Sequence, residues 1–255
     1  MNDKVLDGDF FESFKEHPNV LYSETHKIRE LYGKECEVLI THNSDWNITE
    51  QLYQEVKANV KFKKWFAQNI ACKHNDLFCL PIGMERKRWV KFDKEETIDE
   101  VRQNFKDSID ERLYGNFSII TNLKKRLDCY NSFSTKPYFI NNVWNETPKV
   151  SILTKQQYAW FCNEVLKHKF CLCPEGNGID THRLWEVLYL GRYPVVLHNE
   201  VNDSFIDLPI MVLDKWSNFE DKKEKFLKRI EKKKDFSLEK LSREYWIKRI
   251  LKDIN

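Results

Sequence analysis

The sequence predicts an α/β protein made of two Rossmann-like units that face a cleft, with C-terminal helices that pack back onto the body. Short apolar runs alternate with helical patterns along most of the chain, which is typical of parallel sheets covered by helices. Several of these runs end in polar or glycine-containing loops. A chain of 255 residues is long enough for two such units, and we place them at residues 1–110 and 111–255.

The first unit is predicted to contain strands whose carboxyl ends lead into polar loops. The predicted elements are a helix over 22–32, a strand over 37–41, a helix over 48–59, and strands over 60–68 and 77–82. In an open α/β sheet, ligands bind at the carboxyl ends of the strands. We therefore expect the loops at 42–45, 68–69 and 83–85 to converge on one side of this unit.

The second unit follows a charged, helical stretch over 91–115 that we expect to connect the two halves. The predicted elements are a strand over 116–121, a helix over 122–133, a strand over 149–153, a helix over 154–168, and strands over 169–173, 193–197 and 210–214. From residue 218 onward the apolar positions have a rough helical spacing, which predicts amphipathic helices packed on the body.

The segment from Lys169 to Asn199 has the pattern strand, glycine loop, helix, strand, and it is the most informative part of the chain. Gly176 and Gly178 allow backbone N–H groups to turn toward a ligand without interference from a Cβ. The helix is predicted to end at Gly191, because glycine commonly follows the last helical residue. Two parallel strands joined by a helix form a right-handed βαβ unit.

Two charged residues, Arg183 and Glu186, stand in this otherwise apolar helix. An Arg in the first turn is unfavourable for the helix dipole, but it adds to an anion site formed by the free N–H groups. A guanidinium suits a diphosphate, and a carboxylate one turn further can accept two hydrogen bonds from a ribose diol. The alternative is an intrahelical ion pair on a solvated face, worth about 0.2–0.5 kcal/mol, which the flanking apolar residues disfavour.

At these residues the chain resembles exostosin-like glycosyltransferases, including short microbial and viral members. The similarity is most specific over 170–200, where PEGNGIDTHRLWEVLYLGRYPVVL is similar to the donor-binding segment of that family. It is weaker over 39–45, 63–70 and 80–89, which resemble the acceptor-side half. The resemblance implies the GT-B arrangement, with acceptor binding by the first unit and nucleotide-sugar binding by the second.

The resemblance implies a hexosyl- or pentosyltransferase that moves a sugar from a UDP- or GDP-type nucleotide-diphosphate sugar to a glycan or glycoconjugate hydroxyl. In the family, the residues matching Arg183 and Glu186 contact the donor diphosphate and the ribose. We expect inverting chemistry, because the family that the chain resembles inverts. The other residues predicted on the donor side are Glu175, Asn177, Gly178, Asp180, Thr181, His182 and Arg126.

Several of these residues have alternative roles. Asp180 either contacts sugar hydroxyls or caps the helix, a position that Thr181 also suits, and Arg126 either adds a phosphate contact or is a solvated surface residue. For the catalytic base, Asp45 is the first candidate and His42 the second, because both lie at a strand end on the acceptor side. The alternative for Asp45 is that it only helps to cap the helix that follows.

The predicted chemistry uses neither a metal nor a cofactor. Arg183, the helix N-terminus and the glycine loop can stabilise the charge on a leaving diphosphate. The Asp-x-Asp spacing used by metal-dependent transferases occurs at Asp7 and Asp9, in a polar N-terminal segment away from any strand end. The only substrates and partners predicted are therefore the donor and the acceptor.

Composition favours a cytoplasmic protein. The seven Cys are odd in number and several lie in apolar strands, which indicates reduced thiols. The N-terminal segment lacks a signal-peptide core, and no apolar stretch approaches the ~18–20 residues of a membrane helix. We expect no transmembrane segment.

The net charge of +2 makes no strong case for a nucleic-acid partner. Acidic residues flank the Lys run at 232–234, so a solvated face explains it better. We therefore predict no nucleic-acid binding. Two alternatives stay open: a non-catalytic module that binds a nucleotide or polyanion at the same anion site, and a nucleic-acid-binding protein that uses the many Lys and eight Trp.

Overall fold

Two parallel β-sheets organise the chain, which the computed structural model describes over residues 5–147, 153–232, 236–252 and 254. One sheet has four strands and the other has five. The strand pairings within both sheets are parallel. The predicted α/β class with Rossmann-like units is confirmed at this level.

The first sheet has the strand order β1-β2-β3-β4. Its strands are β1 Val20–Glu24, β2 Val38–His42, β3 Lys64–Ala67 and β4 Leu77–Cys79. Its helices are α1 Gly8–Ser13 and α2 Glu50–Asn59, with 3₁₀ helices at Phe14–Glu16, Thr25–Leu31 and Lys87–Trp89. Every residue of β2 is buried, as expected for a strand with neighbours on both edges of a covered parallel sheet.

The second sheet follows helix α3, Lys94–Asn104, and has the strand order β6-β5-β7-β8-β9. Its strands are β5 Asp110–Gly115, β6 Phe139–Asn141, β7 His168–Leu172, β8 Tyr193–Leu197 and β9 Met211–Leu213. The remaining helices are α4 Leu123–Phe133, α5 Lys155–Lys167, α6 His182–Tyr189, α7 Glu200–Ser204, α8 Phe219–Glu231 and α9 Arg243–Leu251. Further 3₁₀ helices lie at Ile119–Asn122, Trp216–Asn218 and Glu239–Leu241.

The predicted βαβ unit is confirmed. Strands β7 and β8 pair in parallel, with Cys171 opposite Pro194, and α6 connects them. Gly191 has a φ of +71°, and its N–H donates to the carbonyl of Leu188 at 2.9 Å. Gly191 therefore adopts the left-handed backbone conformation that terminates the helix, which residues with a Cβ rarely adopt.

The predicted helix over 22–32 is wrong. Its first residues belong to β1, and only the part from Thr25 to Leu31 is helical, as a 3₁₀ helix. The run VLYSE is rich in residues that favour strands, and β2 supplies a parallel hydrogen-bonding partner. A partner strand that comes from elsewhere in the chain thus outweighs a weak helical pattern.

The start of the second sheet also differs from the prediction. Strand β5 lies inside the stretch predicted as helical, and the strand predicted over 116–121 is replaced by loop and a 3₁₀ helix. Charged residues at the start of β5 conceal the strand, whereas Leu113 and Tyr114 are fully buried between β6 and β7. Strand β6 has no counterpart among the predicted elements.

Two predictions fall on parts of the chain that the structure does not describe. The strand predicted over 149–153 lies outside the described residues except for Leu153, which belongs to no strand. The Lys run at 232–234 is described only at Lys232.

The C-terminal helices pack back onto the body, as predicted. Trp246 and Ile250 of α9 are buried in a core cluster that includes apolar residues of both sheets. The Trp246 ring lies edge-on to Phe11 of α1, with 6.0 Å between centroids, and 6.5 Å from the Phe205 ring. Helix α9 therefore contacts side chains that come from both halves of the chain.

Candidate functional site

A cleft of about 1580 Å³ opens where strands of the two sheets end. Its lining residues follow β2 and β4 of the first sheet and β5, β6 and β7 of the second, together with residues of α5 and α6. The predicted convergence of polar loops is confirmed for the loops that contain Asp45 and Glu85, which both line the cleft.

Arg183 extends from the first turn of α6 into this cleft. Its Nη1 donates to the backbone carbonyl of Asn116 and to Asn116 Oδ1, the latter at 3.0 Å, and its Cζ lies 4.0 Å from the centroid of the Phe161 ring. Its Nη2 has no hydrogen-bond partner among the described residues. The guanidinium is thus held in place by one edge, and it keeps donors for a ligand.

Glu186 is buried one turn further along α6, with 5% of its surface exposed. Its Oε1 accepts a hydrogen bond from Lys94 Nζ at 2.9 Å, and its Oε2 accepts one from Arg183 Nε at 3.3 Å. Burial acts to raise the pKa of this carboxyl, but Lys94 and Arg183 lower it to about 2. The intrahelical pair with Arg183 therefore exists, although it is buried rather than solvated, and a ribose diol would have to share these oxygens with two cations.

Arg126 of α4 also lines the cleft. Its Nε donates to the carbonyl of Glu175 at 2.9 Å, and its Nη1 donates to the carbonyl of Ser118 at 2.9 Å. In the described part of the chain no carboxylate pairs with this guanidinium. Burial, followed by the positive charge of Arg183, lowers its pKa to about 10. Of the two roles considered for Arg126, the solvated surface residue is excluded by this geometry.

The positive side chains of the cleft come from three different helices. Lys94 of α3 and Arg183 of α6 share Glu186 as their one carboxylate partner among the described residues, and Arg126 of α4 has none there. The carboxylates of Asp45 and Glu85, in contrast, come from loops of the first sheet. We call Lys94, Arg126 and Arg183 the cationic wall of the cleft; the acidic residues Glu146 and Glu186 line the same cleft.

The glycine loop packs more tightly than the sequence suggests. The N–H of Gly176 donates to the carbonyl of Gly178 at 3.1 Å, so it does not turn toward a ligand. A Cβ at Gly178 would lie 2.6 Å from Asn69 Nδ2, so the glycine is needed because the first sheet approaches closely. Within the described residues, the backbone N–H groups of His182 and Arg183 donate to no acceptor and stay available at the N-terminus of α6.

Asp180 is a structural link between the two halves. Its Oδ2 accepts a hydrogen bond from the backbone N–H of Ile82 at 2.7 Å, and the indole N–H of Trp185 lies 2.9 Å from both oxygens. Its own N–H donates to Asn69 Oδ1 at 2.9 Å. Burial raises the pKa of this carboxyl to about 6. Thr181 takes the N-cap position of α6 without a side-chain cap bond. Asp180 lines the cleft but is only 3% exposed, and its carboxylate is bonded to Ile82, Thr181 and Trp185.

The other predicted donor-side residues divide into two groups. Asn177, Gly178, Thr181 and His182 line the cleft. Glu175 does not: its carboxylate lies 3.4 Å from Lys125 Nζ and accepts a hydrogen bond from an Asn side chain of the β8–α7 connection.

The two candidate bases have different locations. Asp45 is exposed and lines both the cleft and a smaller adjoining pocket of about 480 Å³. His42, at the end of the central strand β2, is fully buried and lines neither. Its Nε2 lies 2.9 Å from the carbonyl of Pro81, and burial lowers its pKa to about 4. The structure therefore places His42 in the core, where a substrate hydroxyl does not reach it.

A pair that sequence analysis missed joins the two halves inside the cleft. His182 Nδ1 donates to the carbonyl of Gly83 at 2.8 Å, which leaves Nε2 as the acceptor nitrogen of the neutral ring, 3.4 Å from Glu85 Oε2. His182 and Glu85 therefore bring a ring nitrogen and a carboxylate oxygen together inside the cleft. The position of Glu85 after a strand was the available signal, whereas nothing in the sequence indicates Lys94 or Asn116.

No helix in the described part of the chain has the length and apolar character needed to cross a membrane. Comparison with models of known protein families found no family that matches the chain, and a search of curated proteins found no match. The function must therefore be inferred from the chemistry of the cleft.

Proposed function

We propose that the protein is a glycosyltransferase of the GT-B type that transfers a sugar from a nucleotide-diphosphate sugar to a hydroxyl of a glycan or glycoconjugate. The observation that supports this most is the guanidinium pair on the cationic wall: Arg126 has no carboxylate partner among the described residues, and Arg183 lies close enough to lower its pKa. Two neighbouring cations that repel each other in a half-buried cleft suit a ligand that brings two negative charges, as a diphosphate does.

The donor diphosphate is assigned to the N-terminus of α6. Two backbone N–H groups there lack partners among the described residues, and Thr121 Oγ1, on the cleft lining, is buried without a hydrogen-bond partner. Helix N-termini bind phosphate through such groups. A volume of about 1580 Å³ exceeds the roughly 300–1,000 Å³ of common small-molecule sites, which leaves room for a donor and an acceptor together.

The acceptor is assigned to the pocket of about 480 Å³ in the first half. It shares Asp45, Glu85 and His182 with the cleft, so an acceptor hydroxyl placed there meets the donor. Trp89, which is 56% exposed, gives this pocket an aromatic face for a sugar ring.

The reaction is an inverting displacement. A base removes the acceptor proton, the acceptor oxygen bonds to the anomeric carbon, and the bond from that carbon to the diphosphate oxygen breaks. Arg126 and Arg183 stabilise the charge on the departing diphosphate, so the mechanism requires no metal. Asp45 stays the first candidate for the base, and His182 with Glu85 replaces His42 as the second.

Isothermal titration with UDP, GDP and their sugar conjugates, in the presence of a chelator, tests donor binding. We expect Arg126→Ala to weaken binding about tenfold or more, since a hydrogen bond to a charged group contributes about 1.5–3 kcal/mol. Arg126→Lys should weaken it less, because it keeps the charge. Lys124→Ala, an exposed lysine on the same helix, is the control and should bind as the wild type does. Equal affinity of all four proteins contradicts the proposal.

Turnover distinguishes the enzyme from a non-catalytic nucleotide-binding module. In a glycan-array assay with radiolabelled nucleotide sugars, we expect chelator-insensitive transfer by the wild type. If Asp45 is the base, Asp45→Asn should keep donor affinity and lower kcat about 10²–10⁴-fold. If His182 is the base, the loss should follow His182→Gln instead. Nucleotide binding without transfer to any acceptor would favour the binding module.

A further inference from the structure

A second group of reactive side chains lies outside the cleft, on the first sheet. Glu50, Cys72 and His74 each offer one possible ligand atom, and these atoms lie within 4.8 Å of one another. None of the three lines the cleft or the smaller pocket. We call this group the Cys72 cluster.

Local structure fixes the members of the Cys72 cluster before any ion binds. Glu50 is the first residue of α2, and its Oε2 lies 2.9 Å from His74 Nε2. The His74 ring is stacked on the Tyr53 ring, with 3.5 Å between centroids and 3° between planes. Cys72 is buried, and its Sγ donates to the carbonyl of Ile48 at 3.4 Å.

The spacing fits a small tetrahedral ion. Zinc bonds are about 2.3 Å to sulfur and about 2.0–2.2 Å to nitrogen and oxygen, so tetrahedral ligand atoms stand roughly 3.3–3.7 Å apart. Glu50 Oε2 and His74 Nε2 would move apart by a few tenths of an ångström, and the sulfur would move inward. Glu50 is exposed and His74 is half-buried, so an ion can enter from solvent.

The charge around the Cys72 cluster also favours a cation. The carboxylate of Glu50 belongs to the cluster itself. The nearest sequence neighbour with a positive charge, Lys73, is engaged elsewhere: its Nζ lies 2.8 Å from Glu200 Oε2 and 3.8 Å from Asp203 Oδ2 on α7. The ammonium of Lys73 is therefore paired with α7 and not with Glu50.

We propose that the Cys72 cluster is a binding site for a borderline-soft divalent cation, with Zn²⁺ as the preferred ion. One sulfur, one imidazole nitrogen and one carboxylate oxygen form a ligand set that suits zinc and disfavours Mg²⁺ and Ca²⁺, which prefer oxygen alone. The fourth position faces solvent and takes a water. This site is separate from the donor cleft and does not depend on the proposed sugar transfer.

Cobalt substitution in the full-length protein tests the proposal. The chelator-treated protein, kept reduced by a phosphine, is titrated with Co²⁺ and then with Zn²⁺. We expect one Co²⁺ per chain with a thiolate-to-cobalt charge-transfer band, and loss of that band when Zn²⁺ replaces it. Cys72→Ser should abolish the band, and Glu50→Gln should weaken Co²⁺ binding more than about 100-fold, beyond the roughly 10–100-fold effect of typical outer-shell changes.

Cys36→Ser is the matched control, because Cys36 is another free thiol of the first half and is only half-buried. It should keep the band and the affinity of the wild type. Circular dichroism of the metal-free variants separates loss of the site from loss of the fold. The proposal is overturned if the folded wild type shows no charge-transfer band, or if the band persists in Cys72→Ser.

Discussion

Removal of the Glu186 charge should strongly destabilise the protein. The side chain is 6% exposed and lies between Lys94 Nζ and Arg183 Nε, at 2.9 and 3.3 Å from its two oxygens. Glu186→Gln keeps the volume but leaves two cations without their carboxylate. Loss of one partner from a buried ion pair costs about 3–5 kcal/mol, because the remaining charge is desolvated and uncompensated.

The pKa of Glu186 gives a second estimate of the free energy by which this carboxylate stabilises the fold. The value falls from 4.5 to about 2 on folding, and each pKa unit corresponds to about 1.4 kcal/mol, which gives on the order of 3 kcal/mol. Because the folded-state pKa is the lower one, this stabilisation is present above pH 4.5 and is lost as the pH falls through about 2. The two routes agree, so the interaction is a major part of a typical stability of about 5–15 kcal/mol.

Urea unfolding followed by circular dichroism measures both effects. Near neutral pH, Glu186→Gln should lower the free energy of unfolding by about 3–5 kcal/mol, and the difference from the wild type should shrink in acid. Lys94→Met combined with Glu186→Gln should cost less than the sum of the single changes, with a coupling of about 1–3 kcal/mol.

The exposed pair of Glu244 and Lys248, with side chains 76% and 74% exposed, supplies the control. Glu244→Gln should change stability by no more than about 0.5 kcal/mol. If Glu186→Gln unfolds at the same urea concentration as Glu244→Gln, the reasoning about the buried carboxylate is refuted.

Three further predictions concern the contact between the sheets and the thiols. Folding raises the pKa of the Asp180 carboxyl from 3.8 to about 6, so the wild type should lose stability as the pH rises between those two values. Asp180→Asn removes this carboxyl, and urea unfolding of the variant should show no such loss. Gly178→Ala sets a Cβ 2.6 Å from Asn69 Nδ2 and should cost about 1–3 kcal/mol, visible as a lower Tm, while the exposed Asn177→Ala should not. Among the seven free Cys, Cys36 alone is not buried. Native protein should therefore react with Ellman's reagent at one thiol per chain, and denatured protein at all seven. Rapid reaction of several thiols in the native protein would contradict their burial.

Local sequence patterns were sufficient to predict the βαβ unit at the centre of the site. The apolar run of β7, the helix α6 and the strand β8 follow from residue types that are neighbours in sequence, and Gly191 ends the helix because its left-handed backbone is a local requirement. The polar loops at Asp45 and Glu85 could be placed near one another because parallel strands bring their carboxyl ends to one edge.

The sequence by itself therefore determined the α/β class, the βαβ unit and the presence of Arg183 near a helix N-terminus, since these depend on short-range periodicity and turn chemistry. Only the tertiary structure decided which charges stay available. Glu186 is paired with Lys94, a residue 92 positions away, Asp180 is bonded to Ile82 across the two halves, and His42 is buried by its neighbouring strands. Desolvation and pairing of a side chain depend on contacts between residues that are distant in sequence, and so the choice between the two roles considered for Arg126 required the folded chain.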